Sequence, residues 1–243
     1  MNLSGMNALV TGSAKRIGKE ISLGLAKEGV NVILHYNTSE KEAIKTKEEI
    51  ESLGVRCWTV RGDLRKDARQ ILYDSIKISG RIDFLINNSS VFPLKKFEEV
   101  TITDLEETFI VNSWAPLILA KEFSKIAERG KIINILDSII SGYNFERYPY
   151  YLSKKMLEDI TYSLALKLAP NFTVNAIAPG IIIPPEGKDY SYLEKLKELI
   201  PLKRWGDVGE VVKAVIFLLK SDFITGQVIY VDGGEHLKPR VIM

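Results

Sequence analysis

The sequence predicts an α/β protein: a doubly wound parallel sheet of about seven strands with helices on both faces. Three observations lead there. Short β-branched runs alternate with longer segments of helical apolar spacing from one end of the chain to the other. The runs are apolar at nearly every position, the pattern of strands buried on both faces. No Pro/Gly/Ser-rich linker interrupts the alternation, so residues 1–243 read as a single domain, a length that α/β units commonly reach.

The expected strands are Ala8–Val10, Val32–Tyr36, Val55–Val60, Phe84–Ile86, Lys131–Leu136, Thr173–Ala178 and Val228–Val231. Between them apolar residues recur at helical spacing, as at Ile17, Ile21 and Leu25 and again at Val211, Val215 and Leu218. Such strand–helix–strand units imply right-handed crossovers and hence a parallel sheet. The stretch 181–201, IIIPPEGKDYSYLEKLKELIP, departs from the pattern, with Pro-Pro and Gly ahead of a short amphipathic helix around Leu193–Leu199. An excursion of this length late in such a fold reads as a lid or substrate loop.

Hydrophobic residues make up 46% and charged residues 26%, which excludes disordered, collagen-like and low-complexity classes. With 33 Lys+Arg against 31 Asp+Glu the formal charge is +2, too small a field for nucleic acid or an anionic membrane to be the main partner. The single cysteine, Cys57, cannot form an internal disulfide or a Cys-based metal site and reads as a buried small hydrophobe of a reducing compartment. His35 and His236 are too few for a metal centre and read as packing or cap residues. The N-terminus has no basic leader with an apolar core, and apolar stretches such as Ala214–Leu219 fall far short of the ~20 residues that span a bilayer. A soluble, cytoplasmic protein is expected.

The first strand runs into TGSAKRIG, Thr11 to Gly18, and then into a helix. Gly12 allows a tight turn and Gly18 close helix–strand packing, so that a pyrophosphate can sit on the helix N-terminus. Arg16, beside Lys15, stands where a middle glycine is usual, and a guanidinium there can pair with a phosphate. The second strand ends in Tyr36-Asn37-Thr38-Ser39 rather than in an acid that would take a ribose 2′-hydroxyl and repel a 2′-phosphate. The expected cofactor is therefore NADP.

ERYPYYLSKK places a Tyr and a Lys four residues apart twice, as Tyr150/Lys154 and Tyr151/Lys155. On a helix such pairs share a face, and an ammonium beside a phenol is expected to lower its pKa and ready it as a proton donor. Extending the first pair gives Leu157, Thr161, Leu164 and Leu168, a mostly apolar stripe; extending the second gives Asp159, a salt-bridge partner on a solvated face. That favours Tyr150 and Lys154. The other register would pair Tyr151 with Ser138.

These segments resemble the short-chain dehydrogenase/reductase family over nearly the whole chain. TGSAKRIG is similar to its glycine turn, Asp63-Leu64 to its adenine-contacting pair and Asn87-Asn88-Ser89-Ser90 to its NNAG segment. Asn112 is similar to its helix Asn, Tyr150-xxx-Lys154 to its YxxxK, and Pro179-Gly180 to its PG. Thirteen residues before Tyr150 lies Asp137, where most of the family carries Ser. Asp137, Arg16, LHYNTS, NNSSVF and DGGEHLK resemble the pteridine reductase branch, although Thr38 stands where some of its members carry Arg.

The resemblance implies a Rossmann-like fold, a homotetramer, and catalytic roles for Tyr150, Lys154, Asp137 and Asn112, the last anchoring a water behind Lys154. It implies NADP along Gly12, Ser13, Lys15, Arg16, Ile17, Gly18, Tyr36, Asn37, Thr38, Ser39, Asp63, Leu64, Asn87, Ser89, Ser90, Lys154, Pro179, Gly180 and Ile182. It places a small-molecule substrate against Ser90, Phe92, Asp137 and Tyr150, with Phe92 stacking on a pterin. Tyr143, Phe145, Tyr190, Tyr192 and Trp205 fall near the predicted loops and could line an aromatic pocket. The expected reaction is hydride transfer to a C=N or C=O group, most readily of a dihydropterin. The alternatives are a 3-oxoacyl or general carbonyl reductase and a non-catalytic cofactor-sensing protein.

Overall fold

The computed structural model describes residues 1–185, 187–238 and 241–243. Its strands are β1 (Asn7–Val10), β2 (Asn31–Tyr36), β3 (Cys57–Arg61), β4 (Phe84–Asn87), β5 (Gly130–Ile135), β6 (Tyr143–Asn144), β7 (Phe172–Pro179), β8 (Val228–Val231) and β9 (Val241–Ile242). The helices are α1 (Arg16–Lys27), α2 (Glu40–Glu51), α3 (Ala68–Ser79), α4 (Ile102–Phe109), α5 (Ala115–Ile126), α6 (Tyr148–Leu168), α7 (Ser191–Leu196) and α8 (Val208–Lys220). Seven strands form one parallel sheet in the order β3-β2-β1-β4-β5-β7-β8.

The continuous apolar runs follow from burial on both faces. In β1, Ala8 and Val10 join Val32 and Leu34 of β2 in packing under α1, α2 and α8, through Ile21, Leu25, Ile50, Val211 and Val215. Leu9 and Ile33 point the other way, with Leu85 and Ile132, onto Ile71, Leu119, Phe123 and Leu164 of α3, α5 and α6. A side-chain period of two thus feeds two cores from each strand. Cys57 belongs to the first core, and burial pushes its thiol up to about 12, so it is inert packing.

The expected strands are all present, with ends shifted by one or two residues. β6 and β9 pair in parallel as a separate two-stranded ribbon; at two residues each, neither is long enough to carry a periodic signal. The amphipathic helix of the 181–201 excursion begins earlier than expected, as α7, and tightens to a 3-10 turn over Lys197–Leu199. Between α4 and α5 the ladder loosens into a single π-helical stretch, Ile110–Trp114, a distortion frequent at functional sites. No described helix is long and apolar enough to cross a membrane. Strand order reverses at β1/β4, and the crevice beyond the carboxyl ends of these strands is where such sheets bind ligands.

Candidate active site

After Val10 the chain turns tightly against the segment that follows β4. Thr11 Oγ1 accepts the N–H groups of Asn88 and Ser89 at 2.9 and 3.0 Å, and the Asn88 amide donates to the carbonyls of Thr11 and Gly12. Gly12 has φ +62°, and a Cβ there would lie 2.7 Å from Ser89 Oγ. A Cβ at Gly18 would run into the Gly12 carbonyl and the Asn88 amide. Both glycines are therefore demanded by close approach.

His35 braces this turn from β2. Gly12 N–H donates to Nδ1 at 3.2 Å, and Nε2 meets the Gly62 carbonyl at 3.1 Å, an arrangement served by the neutral ring protonated at Nε2. Burial holds its pKa down at about 4, so the ring stays neutral. A histidine inside the apolar run NVILHY was the sequence signal for this role, beyond packing alone. Arg16 takes φ +59°, a left-handed conformation costing an L-residue about 1 kcal/mol, as fits a position where glycine is usual. Its Nη2 donates to the Pro184 carbonyl at 2.8 Å, tying the turn to the excursion.

A cavity of about 920 Å³ opens from this turn across the sheet's carboxyl edge. Its walls include Gly12, Lys15, Arg16, Ile17, Gly18, Tyr36, Asn37, Thr38, Ser39, Asp63, Leu64, Ser89 and Ser90, then Phe92, Asp137, Tyr150, Lys154, Pro179, Gly180 and Ile182. The excursion supplies Ile183, Pro185, Tyr192, Leu193 and Leu196. Asp63 accepts a forked contact from Arg65, with Nη2 at 2.6 Å, and this guanidinium holds its pKa below the usual carboxylate range.

Three expected site residues lie behind these walls. Ser13 is buried, with Oγ donating to the Val10 carbonyl at 2.7 Å. Asn87 Nδ2 donates to Asn134 Oδ1, and Asn134 in turn to Thr161 Oγ1 of α6, a polar chain beneath the site. Asn87 Oδ1 is left buried without a hydrogen-bond partner among the described residues. Asn112, in the π stretch, donates to the Val91 carbonyl and Ser153 Oγ at 3.0 Å each and accepts Val91 N–H at 2.8 Å. Its side-chain amide thus pins the Val91 backbone to α6 and thereby positions Phe92.

The reactive cluster forms where α6 passes the end of β5. Pro149 sits in the first turn of α6, where its missing N–H costs nothing, and the helix then carries Tyr150 and Lys154 inward. Tyr150 Oη donates to Asp137 Oδ2 at 2.6 Å. Asp137 is held in turn by Ile139 N–H on Oδ1 at 2.9 Å, and Lys154 Nζ donates to the Ile135 carbonyl at 2.8 Å. Burial raises the Asp137 pKa against the opposing pull of these hydrogen bonds and of Lys154. Burial also brings Lys154 down to about 8.

The expected lowering of the Tyr150 pKa is reversed. Burial and the adjacent Asp137 push the phenol well above its ordinary value, because a carboxyl stands in contact with it while the ammonium lies 5.7 Å from the ring centre.

Tyr151 faces elsewhere, toward Tyr143 at 5.9 Å and Tyr148 at 6.3 Å, ring centre to ring centre. Lys155 pairs with Glu158 at 2.6 Å rather than with the expected Asp159. Ser138 Oγ donates to Glu235 Oε2, not to Tyr151. Phe92 meets Tyr150 edge-to-face at 4.5 Å between ring centres and retains 43% exposure. The Arg147 guanidinium lies 3.9 Å over the Phe92 ring, an arrangement the sequence did not signal. Of the five aromatics expected near the pocket, Tyr143 and Tyr192 line it. Phe145 stacks on Tyr148, and Tyr190 packs on Trp205.

Comparison with known proteins agrees with this geometry. The short-chain dehydrogenase/reductase model described as enoyl-(acyl carrier protein) reductase matches residues 12–236. An uncharacterised oxidoreductase of Thermotoga maritima is 32% identical, over 97% of this chain and 99% of the relative. A 3-oxoacyl-[acyl-carrier-protein] reductase of Staphylococcus epidermidis is 30% identical, over 95% of this chain and 99% of the relative. The crystal structure of FolM alternative dihydrofolate reductase 1 from Brucella canis, complexed with NADP, superposes with a TM-score of 0.93 at 34% identity, over 97% of this chain and 96% of that one. The chain belongs to the short-chain dehydrogenase/reductase family of oxidoreductases.

Proposed function

We propose that the protein is an NADPH-dependent reductase whose substrate is a dihydropterin. The cradle fits such a cofactor: the turn at Gly12 and Gly18 admits no Cβ, Lys15, Arg16, Thr38 and Ser39 line the cavity, and β2 ends in Tyr36-Asn37-Thr38-Ser39 rather than in an acid. When bound, the nicotinamide supplies hydride. Arg16 and the hydroxyls of Thr38 and Ser39 would meet the 2′-phosphate, and Lys154 would hold the nicotinamide ribose.

The observation that carries the substrate assignment is the 2.6 Å hydrogen bond between Tyr150 Oη and Asp137. A carboxyl whose pKa is raised by burial gives up and regains a proton far more readily than a serine hydroxyl, and Tyr150, beside it in the cavity wall, is the donor to substrate. The same carboxyl, when ionised, accepts N–H groups from an aminopyrimidine edge. Phe92 offers a flat face alongside, worth ~0.5–1.5 kcal/mol beyond area burial when stacked.

The likeness to the Staphylococcus epidermidis enzyme favours a second reading, a 3-oxoacyl or other carbonyl reductase. The test is kcat/KM for a dihydropterin and a 3-oxoacyl ester in the parent, Asp137→Ser and Phe92→Ala. Asp137→Ser is expected to cut dihydropterin reduction while ketone reduction survives, and Phe92→Ala to raise the pterin KM severalfold. A parent that prefers the oxoacyl ester, with Asp137→Ser changing neither activity, assigns the carbonyl reading instead. We further infer a cytoplasmic homotetramer, as in the family; light scattering reads the assembly.

A further inference from the structure

Arg147 is the residue immediately before α6, and its backbone is fixed on both sides: its N–H donates to Asn144 Oδ1 at 2.8 Å, and its carbonyl accepts Tyr151 N–H at 2.9 Å. The side chain is fixed as well. Nη1 donates to the Phe92 carbonyl at 2.9 Å, and the guanidinium plane rides 3.9 Å over the Phe92 ring. Arg147 lines the same cavity as Tyr150 and Asp137.

Two other cations of the cavity wall have protein acceptors, Lys154 on the Ile135 carbonyl and Arg16 on the Pro184 carbonyl. For Arg147 the single hydrogen bond to Phe92 leaves most of its donors unused; the Glu146 carboxylate of the same cavity wall acts on it, but among the described residues no carboxylate lies within 4.0 Å of it. Partial burial already weighs against its charge, holding its pKa below the ordinary value. A partly desolvated, rigidly placed guanidinium with no carboxylate in contact is a receptor for an anion, since its planar fork matches carboxylate or phosphate oxygens.

We propose that Arg147 is a specificity-determining residue that binds the anionic group, carboxylate or phosphate, on the tail of a substrate whose flat ring lies against Phe92. This rests on the reductase reading above and refines it: the preferred substrate carries a negative tail, not only a reducible ring. The pinned backbone fixes the distance between the anion and the reacting atom, because Arg147 and Tyr150 stand three residues apart on either side of the first turn of α6. Arg147 thus selects by the tail while Tyr150 and Asp137 act at the ring.

The kinetic test uses NADPH with three substrates: dihydrobiopterin with an uncharged tail, dihydrofolate with a carboxylate tail, and dihydroneopterin phosphate. Each is measured in the parent, Arg147→Gln and Arg147→Lys. In Arg147→Gln the KM for at least one anionic substrate is expected to rise about tenfold more than that for dihydrobiopterin, as loss of a charge-assisted contact implies, with kcat affected far less. Which anionic substrate responds identifies carboxylate or phosphate as the group read. Arg147→Lys should restore part of the loss, and added salt should raise the anionic KM in the parent but not in Arg147→Gln.

Equal rises for all three substrates would mean that Arg147 merely supports Phe92, and the proposal would be wrong. A binding measurement separates this proposal from the dihydropterin reading. Calorimetry of the NADP-loaded protein with p-aminobenzoylglutamate, its diethyl ester and glycerol phosphate needs no turnover. If the parent reduces no dihydropterin, the substrate assignment falls. Arg147-dependent binding of p-aminobenzoylglutamate or glycerol phosphate would still support the anion site, and binding of neither would overturn it.

Discussion

Replacing Lys154 by Met is expected to make the protein more stable at neutral pH while disabling it. Lys154 is 2% exposed, and burial brings its pKa from 10.5 to about 8. Below pH 8 the amine is protonated in both the folded and unfolded chain, and the folded state bears the cost of the buried charge. Between 8 and 10.5 the folded state releases its proton first, so the unfolded state binds more protons and stability rises with pH. A fall from 10.5 to about 8 corresponds to about 3 kcal/mol withheld from stability below pH 8. Met keeps the stem's volume and removes that cost, but it leaves the Ile135 carbonyl without its donor, a loss of about 1 kcal/mol. The net gain at pH 7 is about 2 kcal/mol, or roughly 4–8 °C in Tm for a chain of this length. Calorimetric melting of the cofactor-free protein at pH 7 and above pH 10 checks it. At the higher pH the gain should vanish. A variant that melts at or below the parent at pH 7, or a gain that ignores pH, would refute the reasoning.

Three further substitutions address the register and the cofactor. Tyr150→Phe should lower turnover by about 10²–10⁴-fold, the usual worth of a general acid, with NADPH binding retained in fluorescence titration. Tyr151→Phe, whose ring packs among Tyr143 and Tyr148, should be mild, and the opposite ranking would reinstate the register with Ser138. Arg16→Gly relieves the left-handed backbone while removing the guanidinium, so it isolates the charge. NADPH affinity is expected to drop roughly tenfold with NADH affinity moving less, and equal changes for both cofactors would assign Arg16 only to the Pro184 contact.

The sheet was legible because each strand is buried on both faces, which writes apolar residues at consecutive positions such as Val32 to Leu34. The apolar stripe through Leu157 and Leu164 likewise marked the packed face of α6, but the solvated face expected for Tyr151 is not found: it is buried as Tyr150 is, among Tyr143 and Tyr148. What escaped the sequence depends on directions that no spacing encodes. Asn112 was recognisable as a position but not as a clamp on Val91, because its partners come from a loop more than a turn of helix away in the chain. Arg147 gave no signal of its own, because only the return of the chain after β4 sets Phe92 beneath it. β6 and β9 left no trace, being two residues each.

The carboxyl at Asp137 changes what the neighbouring groups can do. With serine there, a phenol beside an ammonium would be expected to lose its proton more easily. With Asp137 in hydrogen-bond contact, burial raises both Tyr150 and Asp137, the carboxylate raises Tyr150 further, and burial drives Lys154 down, so all three are displaced toward their neutral forms. A cluster poised in this way favours retaining protons over releasing a phenolate. Reduction of a C=N bond leaves a nitrogen that must gain a proton, and a site that stores one on a carboxyl behind the phenol can resupply Tyr150 after each transfer. The same storage is of less use in the oxidative direction, where the tyrosine must act as a base. The proton inventory of the site, rather than its fold, therefore suits the reductive direction of the reaction proposed above, for a C=N or a C=O group alike.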